Sequence, residues 1–290
     1  MFARAWAAAC GLLLAGSLGV SHAQTAPAVP PSAPIGTGLP EGKPIDIRGL
    51  HTGMASAPAM AILQQHYKEH PRAKLLTRTR NAPNVTKPYL AYAMNDGHRG
   101  GNGYDYLGAA FTSDASGNQV VSIISNAEFA SGKQPSAPET IAAIKKKYGE
   151  PSSTSGTDFE TTLIYGYRDG KLLAIDGPCS GLSRVAQLSL TNQDVLRLDR
   201  WFLEMAADAK ADMSPGLPAE GTRCDALMRI SIGYGVSVGP DRLLTPNKNV
   251  IAVMTILFFD AKRFRAAQER DEAVPKTPPS GPIGTGPAKL

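Results

Sequence analysis

Cysteine is scarce in this 290-residue chain, with three residues, and aromatic side chains make up only 7% of it. Cys10, Cys179 and Cys224 show no C-x-x-C spacing, which leaves out the close pairs of redox and zinc-ribbon sites. Strong charge of one sign is absent too. Thirty Lys and Arg against 25 Asp and Glu give +5, which is no nucleic-acid footprint. The basic runs Lys145-Lys146-Lys147 and Lys262 to Arg270 fit the wet faces of helices. After residue 23 no stretch holds about 18 uninterrupted apolar residues, so no transmembrane helix is expected there. A G-x-S-x-G string is missing, and no Ser or Cys stands in a signature with a paired base.

What is present is a globular composition, 42% hydrophobic and 19% charged, framed by unusual ends. Arg4, the small apolar run Ala5 to Val20 and Ser21-His22-Ala23 read as a secretory signal peptide over residues 1–23. Cleavage is expected between Ala23 and Gln24, which puts the protein in the periplasm. In that oxidising setting Cys179 and Cys224 are expected to form a structural disulfide, worth about 4 kcal/mol in the chain-entropy model. Residues 24–44 and 274–290 are rich in Pro, Ala and Gly and read as flexible tether and tail. They share a near copy. Pro30-Pro31-Ser32-Ala33-Pro34-Ile35-Gly36-Thr37-Gly38 recurs as Pro278-Pro279-Ser280-Gly281-Pro282-Ile283-Gly284-Thr285-Gly286, differing only at Ala33 against Gly281. Compositional drift is the plain alternative to a shared extended ligand carried for one partner.

Between the tails the hydrophobic pattern predicts an α+β protein of two units, 45–131 and 132–273. In the first, Ile45 to Met54 leads through a Gly53-Met54 turn into a helix that starts at Ser56-Ala57-Pro58, with Ser56 as N-cap, and stops at Pro71. Met60, Leu63 and Tyr67 form its apolar stripe. Extended segments Tyr89–Met94, Tyr104–Thr112 and Gln119–Phe129 follow as an antiparallel meander. In the second, Ser136 and Glu139 make an S-x-x-E capping box, and Ile141, Ile144 and Tyr148 repeat the stripe. Arg168-Asp169-Gly170 turns Thr161–Tyr167 into Lys171–Ile175. Val185–Leu190 reads as extended and Asn192–Ala209 as an inserted helix. Leu227–Val238 alternates as a half-buried strand, with Arg229, Ser231, Gly233 and Ser237 on its wet side. Val250–Phe259, apolar on both faces, is expected to be a central covered strand, and Asp260–Ala273 a charged helix.

Gly53-Met54 followed by the helix with Leu63, and Lys147-Tyr148-Gly149-Glu150-Pro151 at the second helix exit, resemble small helix-then-sheet periplasmic domains. These are the SmpA/OmlA-like outer-membrane assembly lipoproteins and the β-lactamase-inhibitor-protein-like fold. Ala55 stands where that family has Ser or Thr, and the second unit has no Gly-Met lead-in. The resemblance implies a helix layer on an antiparallel sheet, used for protein–protein contact, and no catalysis.

Chemistry is sparse. His66-Tyr67-Lys68-Glu69-His70 fits H-x-x-E-H, the inverted zinc-hydrolase string, which would place His66 and His70 one turn apart with Glu69 to activate water. Pro71 truncates that helix at the second ligand, and a polar helix end is the simpler reading. His98, Arg99 and Asn102 lie in a Gly-rich loop before a strand and are candidates for a binding loop tip. His51 reads as a structural histidine. The expected function is therefore an exported, non-catalytic binding protein whose partner is another envelope protein, with no cofactor. A zinc hydrolase or a small-ligand binder at the cleft between the units are the alternatives.

Overall fold

The computed structural model describes residues 37, 39, 44–68, 75–80, 89–95, 105–173, 224–239 and 243–274. Residues 1–32 lie outside this description, and all that follows concerns the rest of the chain. The expected Val185–Leu190 strand and Asn192–Ala209 helix also fall outside the described residues.

The described elements are α1 (Ser56–Lys68), β1 (Leu75–Arg80), β2 (Tyr89–Asn95), β3 (Asp105–Phe111), β4 (Val120–Glu128), α2 (Ala137–Tyr148), β5 (Ser153–Gly156), β6 (Glu160–Arg168), β7 (Lys171–Leu172), β8 (Ala226–Val238), β9 (Leu244–Asp260) and α3 (Ala261–Ala273). The fold is α+β. Nine strands form one antiparallel sheet in the order β1-β2-β3-β4-β9-β8-β6-β5, with β7 paired to β6.

Alternation along the strands builds the core. Leu107, Ile123, Phe258, Met228, Ile230, Leu163 and Tyr165 share one face and pack in a single cluster with Ala59, Leu63 and Tyr67 of α1 and Ile144 of α2. The opposite face is also buried where the central strands end. Leu227, Leu257 and Phe259 are covered there, and the Phe264 ring of α3 lies 5.6 Å from that of Phe259. Val250–Phe259 is thus central, between β4 and β8, as its two-sided hydrophobicity implies.

Local sequence sets the helix ends. Ser136 accepts the Glu139 N–H at 3.4 Å, and Gly149, at φ +88°, ends α2 with its N–H on the Lys145 carbonyl. Asp260 caps α3 by accepting the Arg263 N–H at 3.0 Å. At α1 the expectation fails by one residue. Ala55 precedes the first helical residue, while the Ser56 hydroxyl accepts from Asn118 Nδ2 at 2.7 Å and its N–H donates to the Asn118 carbonyl. Gly53 is required by its φ of +83° and because a Cβ there would meet Arg263 Nη2 at 2.8 Å.

Both helices enter through the same backbone contacts. Met54 C=O accepts the Val120 N–H, and Ala55 C=O accepts that of Ala59. Correspondingly Pro135 C=O accepts Ile251 N–H, and Ser136 C=O accepts Thr140 N–H. The pairing of β3 with β4 slips by one residue between Ala110 and Phe111, because Phe111 faces Val120 and skips Val121. In β8 with β9 the first slip falls between Gly233 and Tyr234, which faces Ile251 and skips Ala252.

Three further features differ from the sequence reading. Strand β1, Leu-Leu-Thr-Arg-Thr-Arg, was not foreseen; its polarity suits an edge strand with one partner. Short edge strand β5 is also additional. Arg229 is buried rather than wet, since β8 lies between β9 and β6 in the covered centre of the sheet. Its Nη2 lies 3.7 Å from Glu160 Oε1, and burial lowers its pKa while Glu160 acts in the opposite sense.

Two core tyrosines give opposite expectations. The Tyr67 hydroxyl donates to the Leu107 carbonyl, whereas that of Tyr165 is buried and has no partner among the described residues. Tyr67→Phe is therefore expected to lower stability by about 1 kcal/mol, and Tyr165→Phe to be neutral or stabilising, measured by urea denaturation. Burial pushes the Tyr165 pKa up to about 12 and raises that of Tyr167 further. The unfolded chain then ionises first as pH rises past about 10, so stability falls between pH 10 and about 12. Tyr165→Phe should flatten that fall.

Candidate functional site

Beyond Tyr234, β8 and β9 leave the body of the sheet as a two-stranded arm. The bend is built by a second slip. Tyr234 faces Ile251 but Gly235 faces Asn247, so Lys248, Asn249 and Val250 bulge out of register. Val250 bridges instead to Ser136, just ahead of α2. Gly235 permits the turn, because a Cβ there would sit 2.8 Å from Val250 Cγ2. At the base, the Tyr234 N–H donates to the Phe159 carbonyl, and its hydroxyl is 2.5 Å from Thr161 Oγ1. Lys248 Nζ reaches Asp158 Oδ1 at 2.8 Å.

The arm has one apolar and one polar face. Cross-strand pairs Val236↔Pro246 and Val238↔Leu244 put four apolar side chains on the same side. Ser237↔Thr245 and Gly235↔Asn247 make up the other, where Ser237 Oγ donates to the Thr245 carbonyl at 3.3 Å. Val236 is 55% exposed, Val238 67%, Leu244 58% and Leu243 65%; Phe159, at the base, is 45% exposed. These are the exposed large hydrophobic residues of the described chain. Scattered singly they would mean little; here Val236, Val238 and Leu244 are grouped on one two-stranded ladder.

The residues singled out by sequence fare differently. His66 lies on α1, its Nε2 3.8 Å from Asp105 Oδ1 and its ring edge-on to Tyr67 at 5.5 Å. Asp105 also pairs with both terminal nitrogens of Arg48, so the histidine abuts an ion pair. Glu69 and His70 lie outside the described residues, as do His98, Arg99, Asn102 and Cys179. Among the described residues no three His, Cys, Asp or Glu side chains are grouped to hold a metal ion, and no helix is long and apolar enough to cross a membrane. His51 Nδ1 is 3.1 Å from the Thr52 carbonyl. Cys224 is buried beside β8.

The arm itself was legible only in part. The alternation of Val236 and Val238 was read as a continuation of the half-buried strand; the glycines at 233 and 235 carried the signal that the chain leaves the sheet there. Leu243-Leu244 and Pro246 supply its second strand.

No protein-family model matches the chain, and no curated protein or solved structure matches it either.

The Asp158–Lys248 contact holds the Asp158 carboxyl below the usual carboxylate range and raises the Lys248 pKa. The contact is expected above about pH 4 and to be lost as pH falls through the depressed Asp158 value. Both side chains are exposed, so it should also weaken with salt. Backbone amide shifts of Lys248 and Asp158 followed by NMR from pH 6 to 2 check this, and Asp158→Asn should abolish the transition.

Proposed function

We propose that the chain is an exported, non-catalytic binding module of the periplasm, which engages another envelope protein through the apolar face of the β8–β9 arm. The observation that carries this reading is the ladder of exposed Val236, Val238 and Leu244 with half-buried Pro246 beside them, on a two-stranded extension that adds nothing to the core. Exposed apolar area of this kind gains free energy only when a partner covers it, at roughly 25 cal/mol per Å² buried.

The proposal includes two related helix-plus-sheet units. Its support is positional. Taking Ala55 with Ser136 aligns Met60, Leu63 and Tyr67 with Ile141, Ile144 and Tyr148, and it also aligns the two backbone lead-ins. The first register slips of the two strand pairs then coincide, and β4 meets β9 about the Ser125↔Ile256 pair in an approximately two-fold arrangement. On this alignment the Ser-Ala-Pro echo at 56–58 and 136–138 is one residue out of step. The units would differ chiefly where binding is proposed: eight residues, 112–119, join Phe111 to Val120, and sixteen, 235–250, join Tyr234 to Ile251. The likeness to SmpA/OmlA-like and β-lactamase-inhibitor-protein-like domains belongs to the same proposal, as does a Cys179–Cys224 bridge. Buried Cys224 carries no free thiol.

A photo-crosslinking residue at Val238, expressed in the native envelope, is expected to capture a defined envelope protein. The same residue in a Val236→Ser/Leu244→Ser background should lose most of that product while folding is retained, since exposed substitutions cost within about 0.5 kcal/mol each. Equal capture in both backgrounds would refute the arm as the binding face.

A further inference from the structure

The two edges of the β8–β9 arm are not alike. The Gly239 N–H donates to the Leu243 carbonyl at 2.9 Å. Alternation along the antiparallel pair then makes Ser237↔Thr245 and Gly235↔Asn247 the couples that exchange hydrogen bonds. Val236 and Val238 therefore turn their N–H and C=O groups away from β9. Tyr234 is in the same phase, and its outward N–H is taken by the Phe159 carbonyl at 2.9 Å. Up to that point β6 fills the row, from Tyr167↔Ala226 to Glu160↔Gly233. Just ahead of β6 the chain turns off toward β5, with the Thr157 N–H on the Glu160 carbonyl. The row of outward backbone groups continues at Val236 and Val238, where no strand among the described residues pairs with it.

On the β9 side the outward position opposite Val236 is held by Pro246, which has no N–H to offer. Proline on an edge is one means by which chains prevent unwanted strand pairing, and charged side chains are another. The β8 edge carries neither, since Gly235, Val236, Ser237 and Val238 stand between Tyr234 and Gly239. One edge of the arm is blocked and the other is open. Donors and acceptors repeating at strand spacing are matched by an extended polypeptide backbone, and not by a sugar or a lipid headgroup. The five residues Gly235 to Gly239 offer about 17 Å of edge. Side chains of a strand laid there alternate between faces, so every second one joins Val236, Val238, Leu244 and Pro246.

We infer that the open β8 edge takes up an extended segment of the envelope partner as an added strand, end to end with β6. That segment carries apolar side chains at alternate positions and no proline facing Val236 or Val238. The inference rests on the reading of the arm as the binding face. It adds that backbone pairing, and not apolar cover alone, holds the partner.

The test places a photo-reactive phenylalanine at Phe159, beside the near end of the added strand, in the full chain in its native envelope. Val238→Pro removes the outward N–H and keeps as many side-chain carbons as valine. Val238→Ala keeps the N–H and loses both methyl groups. Capture with Val238→Pro is expected to fall about fivefold below capture with Val238→Ala, as loss of one hydrogen bond implies. Matching urea midpoints show that both variants fold; should Val238→Pro not fold, Val236→Pro against Val236→Ala makes the same comparison. Equal yields, or more capture with proline, would overturn the added strand and leave the apolar face as the binding surface. Crosslinks only between copies of this chain would also overturn it, in favour of self-pairing. No capture from either Phe159 or Val238 would overturn the arm reading together with this one.

Discussion

The pairing of β4 with β9 is the constraint on which the rest depends. Each is the last strand of the meander that precedes it, and each would present a row of unpaired backbone groups if left alone. Seven consecutive residue pairs, Ser122↔Phe259 to Glu128↔Val253, remove both edges at once. The cost falls on sequence: strands at the centre of a nine-stranded sheet are covered on both faces, so Ile123, Ile124, Leu257, Phe258 and Phe259 must all be apolar. The sheet edges are left to polar β1 and to the four-residue β5. β4 and β9 meet through backbone hydrogen bonds, so the two meanders join strand to strand.

That central pairing also fixes where the helices sit and where the chain can afford to vary. Val120 and Ile251, at the starts of the paired cores of β4 and β9, receive the residues that lead into α1 and α2. Upstream of Ile251 the chain is released from the sheet by the Lys248–Val250 bulge and can project. An arm attached there leaves the core cluster untouched, which is the arrangement expected of an interaction device carried by a rigid scaffold. At the other end of β9, Asp260 ties the strand, the start of α3, Thr52 and Thr37 to one buried carboxylate. Burying a charge this way is tolerated because several donors surround it.

Much of this was readable from residues. The stripes at Met60, Leu63, Tyr67 and at Ile141, Ile144, Tyr148, the Asp169-Gly170 hairpin with both residues at positive φ, and the two-sided hydrophobicity of Val250–Phe259 each announced their element. What was not readable is tertiary. Ser56 looked like a cap, but Asn118, brought alongside by β4, occupies its hydroxyl. Arg229 looked wet because alternation reports one covered face and cannot report a second. Thr37 and Leu39 lie in a Pro- and Gly-rich stretch that reads as a tether, and nothing local reveals a carboxylate waiting 223 residues away. The H-x-x-E-H string rests on a spacing that any helix can supply by chance.

On the proposed function, the sheet is self-sufficient and the arm is a binding device added to it. Replacing residues 235–250 by the eight-residue connection found at 112–119, then measuring both urea denaturation and envelope-protein capture, addresses the two halves together. The account predicts a denaturation free energy within about 1 kcal/mol of the parent, with capture abolished. An unfolded chain, or one that still captures the same protein, would contradict it.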